Sequence, residues 1–254
     1  MRLSGVVFSK TLGMDTGITI VTPREIRDEY NTVYLLHGLR GDNRTWLDRS
    51  MLSVYAAKGN SIYILPSVQR SFYTNMKYGF DYSTYITEEL PEICKSVFNI
   101  SSKRENTVVM GYSMGGYGAL KCALSKPEQY GKCAAFSTGG LFLKMYLDEF
   151  RTNGVNDDLK DTFGRLDDDF KSIFGENYEY RPELDLIELL KKDSEKPEIY
   201  LTCGTEDFFY NDHLSFCTVL DKMNVPYQFE SWEAQHDFIC FNEALKRAIE
   251  KFNL

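Results

Sequence analysis

The segment Val108-Val109-Met110-Gly111-Tyr112-Ser113-Met114-Gly115-Gly116-Tyr117-Gly118-Ala119-Leu120 places a serine between two glycines, where a β-branched apolar run meets a helix-forming one. A Gly-x-Ser-x-Gly corner between strand and helix lifts the serine hydroxyl clear of a sheet on a sharp turn, the setting for nucleophilic attack on an acyl group. The flanking glycines let strand and helix pass closely. A helix that starts at the turn points the Met114 N–H, backed by the positive end of the helix dipole, at the place where an oxyanion would form. Gly116, Gly118 and Ala119 keep the next helical turn thin. A serine that only capped the helix would not need these small neighbours. Ser113 is therefore the candidate nucleophile.

A serine hydroxyl needs a base within hydrogen-bond reach, and the base needs a carboxylate to orient it. The chain offers His37, His213 and His236. The strand-type run Glu198–Cys203 ends in Gly204-Thr205-Glu206-Asp207-Phe208-Phe209. The run Pro226–Ser231 is followed by Trp232-Glu233-Ala234-Gln235-His236-Asp237-Phe238. These two post-strand loops supply Asp207 and His236 in the chain order serine, acid, histidine. Glu206 points elsewhere. His213, on the helix after the Asp207 loop, reads as an exposed or capping histidine. A third strand, Thr32–His37, breaks into Gly38-Leu39-Arg40-Gly41-Asp42, where the Leu39 N–H turns inward as a second oxyanion donor beside Met114. His37 then braces that loop. Three histidines are too few for a metal centre and a base together, so no metal is expected, and the chemistry needs no cofactor.

The elements that must hold these residues alternate. Strand-type runs at Ser4–Ser9, Gly17–Thr22, Thr32–His37, Ser61–Leu65, Asn106–Gly111, Lys132–Ser137, Glu198–Cys203 and Pro226–Ser231 are separated by helical periods. Those periods cover Thr45–Lys58, Ser83–Phe98, Met114–Leu124, Asn211–Met223 and Phe238–Phe252, with Pro91 kinking or dividing the second. After an opening hairpin, this alternation predicts an α/β fold with a mostly parallel sheet and helices on both faces. With no repeat and no low-complexity linker, residues 1–254 read as a single domain. The amphipathic stretch from Gly139 to about Lys192 is expected as a cap-like insert over the catalytic edge. Its Asp167-Asp168-Asp169 run lacks the glycine and closing glutamate of a calcium loop and reads as a solvated helix face.

The net charge of −8 over 254 residues, with Lys and Arg scattered, argues against a nucleic-acid partner. No apolar run reaches membrane-spanning length, so no membrane partner is expected. The six cysteines lie far apart without a Cys-x-x-Cys pair, which predicts free buried thiols and, with the missing signal-peptide core, a cytoplasmic protein. Nothing in the sequence sets an oligomeric state, and a homo-oligomer stays open.

Several of these pieces together resemble the esterase D group of α/β-hydrolases, and within it the bacterial tributyrin-type short-chain esterases. The matching residues are His37-Gly38 with Trp46 downstream, Tyr78-Gly79-Phe80-Asp81-Tyr82 leading to Glu88-Glu89-Leu90-Pro91, Gly111–Leu120, Cys203–Phe209 and Gln235-His236. The resemblance implies the α/β-hydrolase fold, a triad of Ser113, Asp207 and His236, and oxyanion donors at Leu39 and Met114. The group also holds S-formylglutathione hydrolases, feruloyl and acetyl-xylan esterases and mycolyl transferases. A Thr-Cys pair associated with the formylglutathione enzymes is missing after His37-Gly38. The expected activity is that of a serine carboxylesterase on a small-molecule ester, with short or aryl acyl groups carried on an acyl-enzyme. An S-formylglutathione thioesterase, or a non-catalytic binding protein on the same fold, are the alternatives. Trp46, Tyr78, Phe80, Leu141, Phe142, Phe208 and Trp232 are the expected substrate-binding residues.

Overall fold

The computed structural model describes residues 1–98 and 100–254. Its strands are β1 (Arg2–Ser9), β2 (Met14–Val21), β3 (Asn31–Leu36), β4 (Ser61–Pro66), β5 (Thr107–Tyr112), β6 (Lys132–Phe136), β7 (Glu198–Gly204) and β8 (Tyr227–Trp232). They form one eight-stranded sheet in the order β1-β2-β4-β3-β5-β6-β7-β8. The β1–β2 hairpin and the β2–β4 pair are antiparallel, and all later pairs are parallel. This is the α/β-hydrolase architecture anticipated above. All strand residues of β5 are buried, as expected for a central parallel strand covered on both faces.

The helices divide the core in two. One side carries α1 (Thr45–Arg49), α2 (Leu52–Lys58) and a last helix, Phe238–Phe252. Their Trp46, Ala56 and Leu245 join Val33, Leu35 and Met110 of the sheet. The alternate residues Tyr34, Leu36 and Val109 join a second core. There they meet α3 (Tyr82–Thr84), α4 (Leu90–Phe98) and α5 (Met114–Ser125). Between β6 and β7 lie α6 (Leu143–Asn153), α7 (Asp157–Phe163), α8 (Leu166–Phe174) and α9 (Leu186–Leu190); α10 (Tyr210–Lys222) and α11 (Phe238–Phe252) follow. No helix among the described residues is long and apolar enough to cross a membrane. All six cysteines are buried and free.

Two expected helices are broken, each for a local reason. Between α1 and α2, the Ser50 hydroxyl donates to the Trp46 carbonyl at 2.6 Å and the Met51 N–H to Asn242 Oδ1 at 2.8 Å. Side-chain competition of this kind ends a helix. In the Ser83–Phe98 period a π-helical turn at Tyr85–Glu89 precedes Pro91. The wider turn accommodates a residue that has no N–H to donate and whose ring crowds the preceding carbonyls.

The strand–helix crossing beneath Ser113 is a close backbone-to-backbone approach. A Cβ on Gly115 would lie 2.6 Å from the Leu36 carbonyl oxygen and 2.7 Å from that of His37, and a Cβ on Gly111 would lie 2.5 Å from the Gly115 oxygen. These neighbours are backbone and cannot swing away. Gly115→Ala is therefore expected to destabilise the protein by about 1–3 kcal/mol, the range of overpacked cores. At about 2–4 °C per kcal/mol for a chain of this size, thermal unfolding should register the loss, whereas Gly5→Ala, where a Cβ meets nothing, should leave Tm nearly unchanged.

Candidate active site

β5 delivers Ser113 at its C-terminal end, and α5 starts at the next residue. The serine has φ 54° and ψ −121°, a conformation that costs a non-glycine residue about 1–3 kcal/mol. Surrounding bonds hold it there. Its N–H donates to the Phe136 carbonyl at 2.9 Å, and its own carbonyl accepts from Gly116 and Tyr117 at 3.0 and 3.3 Å.

The loops after β7 and β8 bring Asp207 and His236 to the same edge. His236 Nε2 lies 3.1 Å from Ser113 Oγ, and His236 Nδ1 lies 2.8 Å from Asp207 Oδ2. A carboxylate can only accept, so Nδ1 carries the proton and Nε2 presents its lone pair to the serine. Asp207 is buried. Burial by itself would raise its pKa. That effect is outweighed by the hydrogen bond and charge of His236, the Phe209 N–H at 2.9 Å and the Ser137 hydroxyl, which leave the carboxyl below its usual range. Glu206 is exposed and takes no part.

After β3 the chain turns through Gly38 and Leu39, and three successive carbonyls of this turn are held by buried side chains. Trp46 Nε1–H donates to Leu36 O at 2.9 Å, Tyr73 O–H to His37 O at 2.8 Å, and His37 Nδ1–H to Gly38 O at 2.8 Å. Leu39 and Met114 both line the space in front of Ser113. Among the described residues neither of their N–H groups donates to a protein acceptor. Buried amide donors are rarely left without a partner. Here two of them flank one hydroxyl.

That space is an apolar cavity of about 60 Å³ whose walls include Phe72, Gly139, Gly140 and Phe209, with Tyr146, Phe150, Leu159, Phe163, Leu166 and Phe170 from the segment between β6 and β7. The seven residues expected to bind substrate lie elsewhere or only at its rim. Trp46 is 1% exposed and sits in the core edge-on to Tyr112, where its indole holds the turn after β3. Tyr78 and Phe80 line a separate surface groove with Arg70 and Arg165. Leu141 is buried in the core, and Phe142 packs edge-on to Phe216 beside another depression. Trp232 stacks under Arg247 and borders a depression shared with Arg49 and Phe238. Phe208 alone approaches the triad, its exposed ring 4.5 Å from that of His236. Phe72 and Phe209 were legible as neighbours of the expected residues. The face each aromatic turns to is set by packing, which spacing does not encode.

Two further expectations change. His213 is fully buried rather than exposed or capping. In the Asp167–Asp169 run, Asp169 is not solvated: it is largely buried against Arg70, whose guanidinium also donates to the Phe163 carbonyl at 2.7 Å. Gln69, Phe72 and Tyr73 around this arginine all have positive φ, so a strained loop of the body is tied to the helices that line the cavity.

Residues 9–252 match the family model described as "Putative esterase". An acetyl esterase of Caldicellulosiruptor saccharolyticus is 27% identical, over 96% of this chain and 94% of that protein. A fluorophosphonate-binding serine hydrolase of Staphylococcus aureus, FphF, superposes with a TM-score of 0.85 at 30% identity, covering 100% of this chain and 98% of that one. An S-formylglutathione hydrolase of the same organism gives a TM-score of 0.83 at 31% identity, covering 100% and 99%.

His37 makes the site acid-sensitive. Its Nδ1–H donates to Gly38 O while its Nε2 accepts the Val68 N–H at 3.1 Å, so both nitrogens are used only in the neutral ring. Burial lowers its pKa to about 4, against opposing pulls from the Gly38 carbonyl and Asp42. The unfolded chain takes up this proton near pH 6.5 and the folded chain near 4, so stability falls as pH drops through that window. At about 1.4 kcal/mol per pH unit, roughly 2 kcal/mol should be lost between pH 7 and pH 5. Urea unfolding of wild type and His37→Gln at both pH values checks this. The wild-type advantage should shrink on acidification, and parallel pH dependences would show that His37 is not the source.

Proposed function

The chain belongs to this esterase family, and on that premise we propose that it hydrolyses esters of short acyl groups through an acyl-enzyme on Ser113. The observation that carries the reading is the Asp207–His236–Ser113 chain of hydrogen bonds, 2.8 and 3.1 Å long, at the wall of an apolar cavity. His236 Nε2 takes the Ser113 proton as Oγ bonds to the ester carbon, and the carbonyl electrons move onto an oxygen facing the Leu39 and Met114 N–H groups. When the tetrahedral intermediate collapses, the bond to the alcohol oxygen breaks and His236 returns the proton to it. Water then repeats the sequence on the acyl-enzyme, giving up its proton to His236, and Ser113 leaves with it. Asp207 fixes the tautomer of His236 and offsets the charge the ring carries in both transition states.

The acyl length follows from volume. A water-sized group needs about 10–15 Å³ of such a cavity, so about 60 Å³ admits about four to six of them. Acetyl and butyryl groups fit. A hydroxycinnamoyl group exceeds this volume. The cavity lining carries no charged side chain, which suits a hydrocarbon chain. The second reading, an S-formylglutathione thioesterase, is supported by the similarity to the S. aureus hydrolase of that description and by a cavity with room for formyl.

Ser113→Ala is expected to lose covalent labelling by a fluorophosphonate and to lower kcat by about 10⁴-fold or more. A variant retaining a tenth of the activity would overturn the assignment. On p-nitrophenyl esters, kcat/KM should fall beyond butyrate by about 10–200-fold over one or two methylenes. Phe163→Ala, which opens the cavity wall, should move that break to longer chains. Glutathione thioesters assayed beside these esters decide between the two readings: preference for S-formylglutathione over acetate and butyrate would select the thioesterase.

A further inference from the structure

The mechanism above leaves one buried histidine without a part. His213 lies in the first turn of α10 with no solvent exposure, its ring stacked 6.1 Å from that of Phe229. Nδ1 is 2.9 Å from the Phe209 carbonyl oxygen, and Nε2 is 3.1 Å from the Thr138 backbone nitrogen. The carbonyl only accepts and the amide only donates, so the ring is fixed as the neutral tautomer with its proton on Nδ1. Burial favours the same neutral form, against the pull of the carboxylates of Asp207 and Asp212.

The two residues it joins serve different parts of the site. Phe209 donates its N–H to Asp207 Oδ1 at 2.9 Å, so its backbone orients the acid of the triad. Thr138 leads into Gly139 and Gly140, which wall the acyl cavity. The same two strands of chain also meet directly, because a Cβ on Gly139 would fall 2.7 Å from Phe209 Cζ. A residue that only filled this space could be apolar; here both ring nitrogens are bound to backbone of two separate loops.

We infer that His213 is a positioning residue that holds the Asp207 loop in register with the glycine wall of the acyl cavity. It thereby acts on rate through Phe209 and on acyl selectivity through Thr138. This inference rests on the esterase reading of Ser113, Asp207 and His236.

Two conservative variants separate the two arms. In His213→Asn the amide nitrogen takes the place of Nδ1 and keeps the Phe209 carbonyl, but nothing accepts from Thr138. In His213→Gln the amide oxygen reaches the place of Nε2 and keeps Thr138, but the Phe209 carbonyl loses its side-chain donor and keeps only the backbone N–H of residue 213, at 3.1 Å. Measured as kcat and KM on p-nitrophenyl acetate, butyrate and hexanoate, the Gln variant should lose about tenfold or more in kcat on every ester with the ratios between esters kept. The Asn variant should shift the hexanoate-to-acetate ratio of kcat/KM by about tenfold while kcat on acetate stays within about threefold. Equal effects of both variants on all esters, or no effect of either, would overturn the inference. If those variants do not fold, nitrogen-15 NMR of the wild type decides: the His213 Nδ1–H with an unprotonated Nε2 should persist unchanged from pH 8 to pH 5, and titration in that range would overturn the clamp. Ser113→Ala is the control. If it stays active the esterase reading fails, whereas an inactive Ser113→Ala beside unaffected His213 variants rejects the positioning role alone.

Discussion

The crossing of β5 and α5 at Ser113 is the constraint on which the rest of the site depends. A serine at φ 54° and ψ −121° is held in an unfavourable conformation, and the chain on either side approaches other backbone within van der Waals distance. The cost is local and the restraint is spread over the sheet: the Ser113 N–H bonds to β6, and Gly115 lies against the carbonyls that end β3. Ser113 and the turn after β3 are thus set by one packing contact. Neither can shift without the other.

Around that contact, buried polar groups are arranged by what each atom can only do. Trp46, Tyr73 and His37 each give a proton to one of three successive carbonyls, which fixes the turn before Leu39. His37 and His213 are both neutral with the proton on Nδ1, each spanning a carbonyl and an N–H. His236 has its proton on the same nitrogen, but its Nε2 faces a hydroxyl that can move its proton. In a dry interior an unmade hydrogen bond is expensive, so such pairings define one geometry. The one histidine left partly open to solvent is the one placed to accept a proton from serine.

The segment between β6 and β7 supplies the cavity with Tyr146, Phe150, Leu159, Phe163, Leu166 and Phe170, all apolar or aromatic and none charged. Arg70 ties this segment to the body at Asp169 and the Phe163 carbonyl. The size of the cavity therefore depends on an ion pair that is partly buried and less exposed to salt screening than a surface pair. Selectivity for acyl length is, on the present reading, a property of how these helices rest on the sheet.

The sequence by itself determined the alternation of eight strands with helices, the strand-to-helix corner at Ser113 and the post-strand loops that hold Asp207, His236 and Leu39. Those signals are local: a β-branched run, two glycines around a serine, or a loop after a strand is written in adjacent residues. It could not determine which aromatics surround the serine. Trp46 turned out to face the core and Phe142 a different helix, while Phe163 and Phe170, more than forty residues from the corner, line the cavity. Nor could it show that His213 is buried between two loops, since its partners are backbone atoms of Phe209 and Thr138. Any residue type has a carbonyl and, proline aside, an N–H. Spacing records what side chains are, and only the tertiary structure decides which backbone groups they meet.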